Sequence, residues 1–540
     1  MGPLRARRGL SLAAAGAAAL IAVVGFSERR APAGLLDDLI PGPRGPSVVL
    51  ITTDDQTFAS LKVMKKTRNL LVGGGVRFTN HIASFPLCCP ARATWLTGQH
   101  AHSHGVIDNN TRNGGGYGAL REPGRVLPVW LNAAGYDTAM IGKFLHEYRS
   151  FRAPPGWDRY WGVVPPQASR YFDYVITNTG GGVDGFEDGD RDYLTDVLSG
   201  EYALPYLLSR DRDRDPFFLH VSYTAPHWGQ GRRQAGGDRC RNGKPFSIKT
   251  ARAKPAPRHA RAFRRARLPK PPSFNEPDTS DKPAVLAGKR PLRKRQVREL
   301  RGRYRCELAS LLAVDDGVAA IYEALQRAGR ADETYVIFTS DHGYMHGEHR
   351  IPAEKVQPYE EVIRVPFIVR GPGVPRGVTV PDPVSNVDLA ATIMELTGVE
   401  QPVLSARPQE GRSLASQLFG ERFPNRAVLI EAKRPPRRTK KGVVVAPSFS
   451  GVRTARYTYV EHHRAVVGTV QEGLGLPIGA GPVTERELYD LERDPFQLES
   501  QHESSAYASP RSVLAGLLAR LRGCTGTDCV IDAPVPPPAA

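Results

Sequence analysis

The sequence predicts an α/β protein with a large sheet covered by helices on both faces, followed by a smaller α+β domain with an antiparallel sheet. Three observations lead there. Short β-branched apolar runs at residues 47–53 (SVVLITT) and 334–339 (TYVIFT) read as strands buried on both faces. Just before the second run, Leu308, Leu311, Leu312, Val318, Ile321, Tyr322 and Leu325 fall on one helical face, and Gly329 supplies a stop. After about residue 425 the pattern turns to alternation, with GVRTARYTYVEHH reading as one antiparallel strand.

The elements follow in chain order. Arg5, Arg7 and Arg8 precede an uncharged, Ala-rich run at residues 9–26. That pattern reads as an export signal or an uncleaved membrane anchor, with a Pro- and Gly-rich linker up to residue 46. A main domain is expected over 47–425, in which strand-like YDTAMIGK and PFFLHVSY alternate with helical stretches. A long helix is expected near 300–328, and another near 387–396 with Asn386 as N-cap and Gly398 at its end. The α+β subdomain is expected over 426–540, with a helical tail at 511–522.

Composition narrows the class. The 540 residues are 41% hydrophobic and 24% charged, ordinary globular values. A mean hydropathy of -0.35 excludes a polytopic membrane protein. The unusual quantity is charge, 73 Lys and Arg against 55 Asp and Glu, a net +18. Residues 231–305 alone hold 24 Lys or Arg and five Asp or Glu, so the remainder is close to neutral. That basic insertion reads as a solvated loop, or as a segment drawing a polyanionic substrate or an anionic envelope toward a site. No nucleic acid is expected, because the carboxylates and Cys88 treated below account for the rest of the chain without it. Six cysteines are too few for a disulfide scaffold. Cys524 and Cys529 suit a small local disulfide, and Cys240 and Cys306 either pair or stay free.

The chemistry-bearing residues sit at strand ends. The first strand runs into Asp54-Asp55-Gln56 and the second into Asp341-His342-Gly343. Open α/β sheets bind ligands beyond the carboxyl ends of their strands. Three carboxylates in one place repel and need a cation. Oxygen donors favour Ca²⁺ or Mg²⁺, and an imidazole leaves Mn²⁺ or Zn²⁺ open. In PLCCPARATWLTGQ, residues 86–99, Cys88 stands at a helix start beside Arg92, with Pro90 in the first turn. Such a setting favours a thiolate. On the residues alone, the Cys88-Cys89 pair also fits a buried thiol or half of a disulfide with Cys240 or Cys306. His102 and His104 fit either pocket-lining residues or, by preference, surface-loop histidines.

CCPARATWLTG resembles the type I sulfatase signature, C-x-P-S-R followed by an L-T-G element. LITTDDQ, SDHGYMHGEH and ELYDLERDP resemble the same family's two metal segments and C-terminal segment, in the family's order, across roughly 46–535. The CCP doublet, Asn109-Asn110, LAVDDGV and CTGTDC look most like N-acetylglucosamine-6-sulfatases. The resemblance implies an alkaline-phosphatase-like fold. It implies that a formylglycine-generating enzyme converts Cys88 to formylglycine, the nucleophile. It implies one divalent cation, usually Ca²⁺, held by Asp54, Asp55, Asp341, His342 and the modified Cys88. Arg92 would hold the formylglycine hydrate, and Lys143, His227 and Lys355 would bind the sulfate and assist proton transfer. His146 lies one residue further from Lys143 than the family's Lys-x-His, and carries a weaker catalytic assignment. Ala91 replaces the usual Ser, and His342 stands where many sulfatases have Asn.

The expected function is an exported sulfatase acting on an aryl or sugar sulfate through the formylglycine. A hydrated aldehyde offers two hydroxyls, one to attack sulfur and one to re-form the aldehyde and expel sulfate. Two rivals share the residues: a formylglycine-dependent phosphonate or phosphodiester hydrolase, and a non-catalytic anion-binding surface protein that uses its basic segment.

Overall fold

The computed structural model describes residues 45–539 except 190, 231–239, 241–250, 401–407, 434–436, 440–441, 445–447, 464–477 and 479–480. The expected signal or anchor at 9–26 lies outside the described residues, as do 231–239 and 241–250 of the basic insertion. Among the described residues no helix is long and apolar enough to cross a membrane.

Eight strands form the main sheet: β1 (Ser47–Asp54), β2 (Val76–Ile82), β3 (Asp137–Gly142), β4 (Arg159–Gly162), β5 (Phe217–Pro226), β6 (Thr334–Ser340), β7 (Arg364–Arg370) and β8 (Val378–Ser385). Their order is β8-β2-β7-β6-β1-β5-β3-β4. All neighbours run parallel except at β7, which opposes both β2 and β6. Every residue of β1, β5 and β6 is buried, as their largely apolar sequences suit for strands covered on both faces. Register then does the positioning. Thr53 pairs with Ser340 and Asp54 with Pro226, so the carboxyl ends of β1, β6 and β5 finish side by side.

Three helices frame the sheet's carboxyl end: α1 (Cys88–Thr97), α2 (Lys294–Arg327) and α3 (Asp388–Thr397). The apolar stripe of α2, including Leu311, Val314, Val318 and Ile321, packs into a core shared with Val49, Ile51, Leu219 and Val221 of β1 and β5. Gly329 follows α2 at φ +65°, the left-handed turn expected from its place after the apolar stripe. The helix starts earlier than the expected 300, because its first two turns carry cations on an exposed face and gave no apolar signal. Gly398 closes α3 at φ +69°, but Asn386 is not its N-cap. The Asn386 side-chain oxygen instead accepts the Ser84 N–H at 2.9 Å, and its amide group donates to the Ala91 carbonyl at 3.4 Å, clamping the entry to α1.

A second, wholly antiparallel sheet is built from β9 (Arg426–Lys433), β10 (Ser448–Arg453), β11 (Tyr457–His463), β12 (Val483–Asp490) and β13 (Ile531–Asp532), in the order β12-β11-β10-β9-β13. GVRTARYTYVEHH is therefore two strands, β10 and β11, joined by a tight turn rather than one. Helix α4 (Ala508–Leu521) covers this sheet with Leu514, Leu517, Leu518 and Leu521. Cys524–Cys529 and Cys240–Cys306 are disulfides, whereas Cys88 and Cys89 are free and buried.

His102 and His104 are not surface-loop residues. They sit on the short helix Ala101–His104, between α1 and the second sheet. His104 is fully buried, and burial pulls its pKa down to about 3. His102 presents Nδ1 to Glu431 Oε2 at 3.1 Å and Nε2 to the Cys524 carbonyl at 2.9 Å. Both ring nitrogens meet acceptors, so this ring is an imidazolium. Burial opposes that charge, but the Glu431 carboxylate outweighs it and lifts the His102 pKa to about 9.

Both the ion pair and the disulfide can be tested by unfolding. A His pKa raised on folding stabilises fully below its unfolded value of about 6.5, and that gain disappears as pH rises through about 9. Urea unfolding at pH 6 and pH 9.5 should show wild type losing up to about 3 kcal/mol more than His102→Gln between the two. The Cys240–Cys306 bond closes a loop of 66 residues. The double variant Cys240→Ser/Cys306→Ser should lose about 4 kcal/mol in the same measurement, from chain entropy restored to the unfolded state.

Candidate active site

The aligned ends of β1, β5 and β6 bring residues from distant parts of the chain to one point. Asp54 closes β1 and is fully buried. Asp55 follows at φ +65°, a left-handed conformation that Asp tolerates better than most residues. Its N–H donates to Asp341 Oδ1 at 3.2 Å, which holds that conformation. Asp341 and His342 leave the end of β6, both fully buried. His342 Nδ1 faces the Gly343 carbonyl at 2.9 Å, which turns Nε2 toward Cys88 Sγ at 3.4 Å.

Cys88 is the first residue of α1, with Leu87 extended as N-cap. Its Sγ lies 3.5 Å from Asp54 Oδ1 and 3.0 Å from Lys355 Nζ. Cys89 is buried differently. Its N–H is held by Asn109 Oδ1 at 2.8 Å, and burial pushes its thiol up to about 12, so it stays protonated.

Arg92, one turn into α1 and 2% exposed, joins the strand ends. Its Nε donates to Asp341 Oδ2 at 3.1 Å and its NH2 to Asp54 Oδ2 at 3.2 Å. Its NH1 donates to Ser222 Oγ and to the Lys143 carbonyl, each at 2.7 Å. Lys143 Nζ also contacts Asp54 Oδ2, and Lys355 Nζ lies 2.9 Å from Asp55 Oδ1. Burial would raise the Asp54 pKa, but Lys143, His227, Arg92 and Lys355 hold it well below the usual carboxylate range. His227 follows β5. Its Nδ1–H donates to the Trp228 carbonyl at 2.8 Å, leaving Nε2 unprotonated 3.7 Å from Asp55 Oδ2. Burial, against the pull of Asp55, draws the His227 pKa down to about 3 and keeps the ring neutral.

The donor set fits a hard dication. Asp54, Cys88, Asp341 and His342 each offer a ligand atom within 4.8 Å of the others, as do Asp54, Asp55, Cys88 and His227. All are buried, and half of the six residues, Asp54, Asp55 and Asp341, offer the carboxylate oxygens that a hard dication favours. The pairing of Cys524 with Cys529 removes the other such grouping, which includes His100, from contention.

Above this cluster opens a cleft of about 780 Å³. Lys143, His227 and Lys355 form its floor, and Asp108, Asn110, Glu147, Trp228, Tyr344 and Glu354 are among its walls. His146 is in the wall too. It makes no side-chain hydrogen bond to the cluster, and its Nδ1 has no partner. The other nine residues singled out from the sequence converge. Sequence reasoning missed Ser222, the Arg92 partner, whose only signal is a hydroxyl inside the apolar run of β5. It also missed the wall residues Asp108, Trp228 and Glu354, which sit on loops and carry no periodic signal.

A family model described as Sulfatase matches residues 46–399. The chain belongs to the sulfatase family. The human N-acetylglucosamine-6-sulfatase is 31% identical over 391 residues, covering 70% of this chain and 65% of that protein. The Drosophila melanogaster extracellular sulfatase SULF-1 homolog is 31% identical over 389 residues, 71% of this chain and 32% of that one. This sulfatase thus spans about a third of the fly relative's length and just under two thirds of the human one's. A Volvox carteri arylsulfatase is 31% identical over 510 residues, 90% of this chain and 75% of its own.

Among solved structures, one determined in complex with its substrate D-glucosamine-2-N,6-O-disulfate aligns with TM-score 0.66 and 23% identity, over 88% of this chain and 97% of that one. The phosphonate monoester hydrolase from Silicibacter pomeroyi aligns with TM-score 0.63 and 20% identity, over 89% and 96%. These likenesses establish the shared fold, with its large mixed sheet and separate antiparallel sheet.

Removing the Arg92 charge leaves buried Asp54 and Asp341 without their shared partner. Arg92→Gln should destabilise the metal-free protein by about 3–5 kcal/mol in chemical denaturation. A loss under about 1 kcal/mol would show that Lys143 and Lys355 suffice.

Proposed function

We propose that this sulfatase is an exported sulfuric ester hydrolase that cleaves a sulfate monoester on a sugar, of the N-acetylglucosamine-6-sulfate kind, or on an aryl group. It works through a formylglycine made from Cys88 by a formylglycine-generating enzyme and through one divalent cation, Ca²⁺ before Mg²⁺ or Mn²⁺. The carrying observation is the Cys88 sulfur, with Asp54, His342 and Lys355 all within 3.5 Å. The sugar substrate is supported by relatives named N-acetylglucosamine-6-sulfatase and by the neighbour solved with a sulfated glucosamine. Export is supported by relatives named extracellular sulfatases and by the pattern of residues 5–26.

Asp54, Asp55, Asp341 and His342 would hold the cation beside position 88, where it supplies charge neutralisation to the ester oxygens. A formylglycine supplies the hydrated aldehyde as nucleophile. The chain's own side chains do the rest. Lys143 and Lys355 bind the outer ester oxygens, offsetting negative charge that moves toward the leaving oxygen. Arg92 keeps position 88 and both strand ends in register. The leaving oxygen takes its proton from the Lys355 ammonium, because His227, with its tautomer set by the Trp228 carbonyl, presents an unprotonated Nε2 and serves as an acceptor. His146 lines the cleft and contributes to binding.

A second reading, phosphonate or phosphodiester hydrolysis, is favoured by one feature, the imidazole of His342 where many sulfatases have Asn. Comparing kcat/KM on p-nitrophenyl sulfate and p-nitrophenyl phenylphosphonate decides between them. Sulfate should be preferred, and a preference for phosphonate overturns the first reading. Cys88→Ala should lower turnover by about 10⁴-fold or more. The mass of the peptide containing Cys88, from protein matured with its modifying enzyme, should be that of formylglycine, and an unmodified thiol overturns the mechanism. Ca²⁺ at about a hundred times its Kd should stabilise the protein by about 2.7 kcal/mol, and Asp341→Asn should abolish that shift.

A further inference from the structure

The described part of the basic insertion, 251–305, is not a loose loop but a strap laid against the protein. Its cations divide into two groups. Arg252, Arg258, Lys282 and Arg303 are paired, with Glu299, with Asp196 and Asp316, with Glu276 and Asp281, and with Glu307. These anchor the strap. A second group is exposed and has no acidic partner among the described residues. It includes Arg261, Arg264 and Arg267 on the strap, and Lys294, Arg298 and Arg301 on α2. The last three follow an i, i+4, i+7 spacing, so they share one helical face.

The two runs are fixed side by side. Arg305 Nε donates to the Ala266 carbonyl at 2.7 Å, and Leu268 packs in one apolar cluster with Leu300, Tyr304 and Leu308. Neither run finds an acid among the described residues. The segment that carries the platform is also packed against the cleft wall. Tyr344 and Ala353, which line the cleft, belong to that same apolar cluster, and Arg303 stacks over the Tyr344 ring at 4.4 Å. On the other side, the Gly229 N–H, next to Trp228 of the cleft wall, donates to the Arg252 carbonyl at 2.9 Å.

We propose that this arginine platform is an exosite for a linear sulfated polysaccharide, holding the stretch of polymer beyond the residue whose ester occupies the cleft. The inference rests on the proposed sulfatase reading for what occupies the cleft, but the platform's binding is independent of turnover. The guanidinium fork matches the paired oxygens of sulfate and carboxylate, and arginine predominates in the unpaired group. A membrane partner would call for apolar side chains to insert, and single-stranded nucleic acid for aromatic faces to stack on bases. Among the described residues, none of the exposed large hydrophobic side chains lies in 261–270 or 290–305.

The test uses the full-length protein and the variant Arg264→Ser/Arg267→Ser/Arg298→Ser/Arg301→Ser, with heparin as the probe. At about 0.1 M salt, wild type should bind heparin at least tenfold more tightly than the variant. The slope of log Kd against log salt should fall by about three to four in the variant, near 0.9 per lost contact. The pair Arg298→Ser/Arg301→Ser, which leaves residues 261–267 untouched, should give about half that change. KM for glucosamine 6-sulfate should be the same in all three proteins, while kcat/KM on the polymer falls with heparin affinity. Unchanged heparin affinity and slope in the four-site variant overturn the proposal. So does equal, platform-dependent binding of wild type to duplex DNA or phosphatidylglycerol vesicles, which would mark a general polyanion surface. Heparin binding through these arginines with no turnover of any ester would leave the exosite standing and remove the sulfatase reading instead.

Discussion

Arg92 is the buried cation around which this site is arranged. Two carboxylates from different strands, Asp54 and Asp341, share its guanidinium, and its remaining donors reach Ser222 on β5 and the Lys143 backbone after β3. One planar fork thereby ties four adjacent strand ends to the first turn of α1. The energetic balance is severe, since an ion buried to 2% exposure without partners costs several kcal/mol. Arg92 must therefore stay where its acceptors are, and Cys88, one helical turn earlier on the same helix, is fixed by the same constraint. Position 88 is thus held by a helix and three strand ends rather than by a loop, which suits the role proposed for it.

Charge in the site is nearly matched by fixed side chains. Asp54, Asp55 and Asp341 face Arg92, Lys143 and Lys355. An arriving dication and an arriving ester anion add opposite charges to that balance. Lys143 and Lys355 lie on these carboxylates at the cleft floor. A low-dielectric pocket makes each of these interactions stronger than it would be in water. Cys89, one residue on, shows what position alone does: without that ring of polar partners it is an inert buried thiol.

Away from the cleft, ion pairs and hydrogen bonds serve a different purpose. His102 with Glu431, Arg453 with Glu360, and Tyr359 with Glu487 each join a residue of the main sheet's helices and loops to the second sheet. The strap at 251–305 adds the contact of Lys282 with the Leu498 carbonyl. The second sheet is thus bonded to the main one by buried, geometrically specific groups. The same separation divides the basic insertion itself. Its paired cations build the structure, and its unpaired ones are left facing solvent, where they can act on something else.

Much of this was legible in the sequence, for identifiable reasons. β1, β5 and β6 announce themselves because strands covered on both faces must be apolar throughout, and the polar residues that end them stand out for the same reason. Helix stops at Gly329 and Gly398 were readable because a left-handed residue strongly favours glycine. The motif around Cys88 and the carboxylates at 54, 55 and 341 were visible as residue types at strand and helix ends. What the sequence could not specify is everything that depends on which ends meet. The register of β1 against β5 and β6 decides that Asp54, His227 and Asp341 share a point. Side-chain packing decides that Asn386 clamps a distant loop instead of capping its own helix, and that His102 is a half-buried imidazolium rather than a loop residue. The basic insertion carries the clearest division. Composition determined its charge, but only the tertiary structure decided which cations find carboxylates and which face solvent, because acidic partners such as Asp196, Asp316 and Glu307 lie outside it and come near only when the chain is folded.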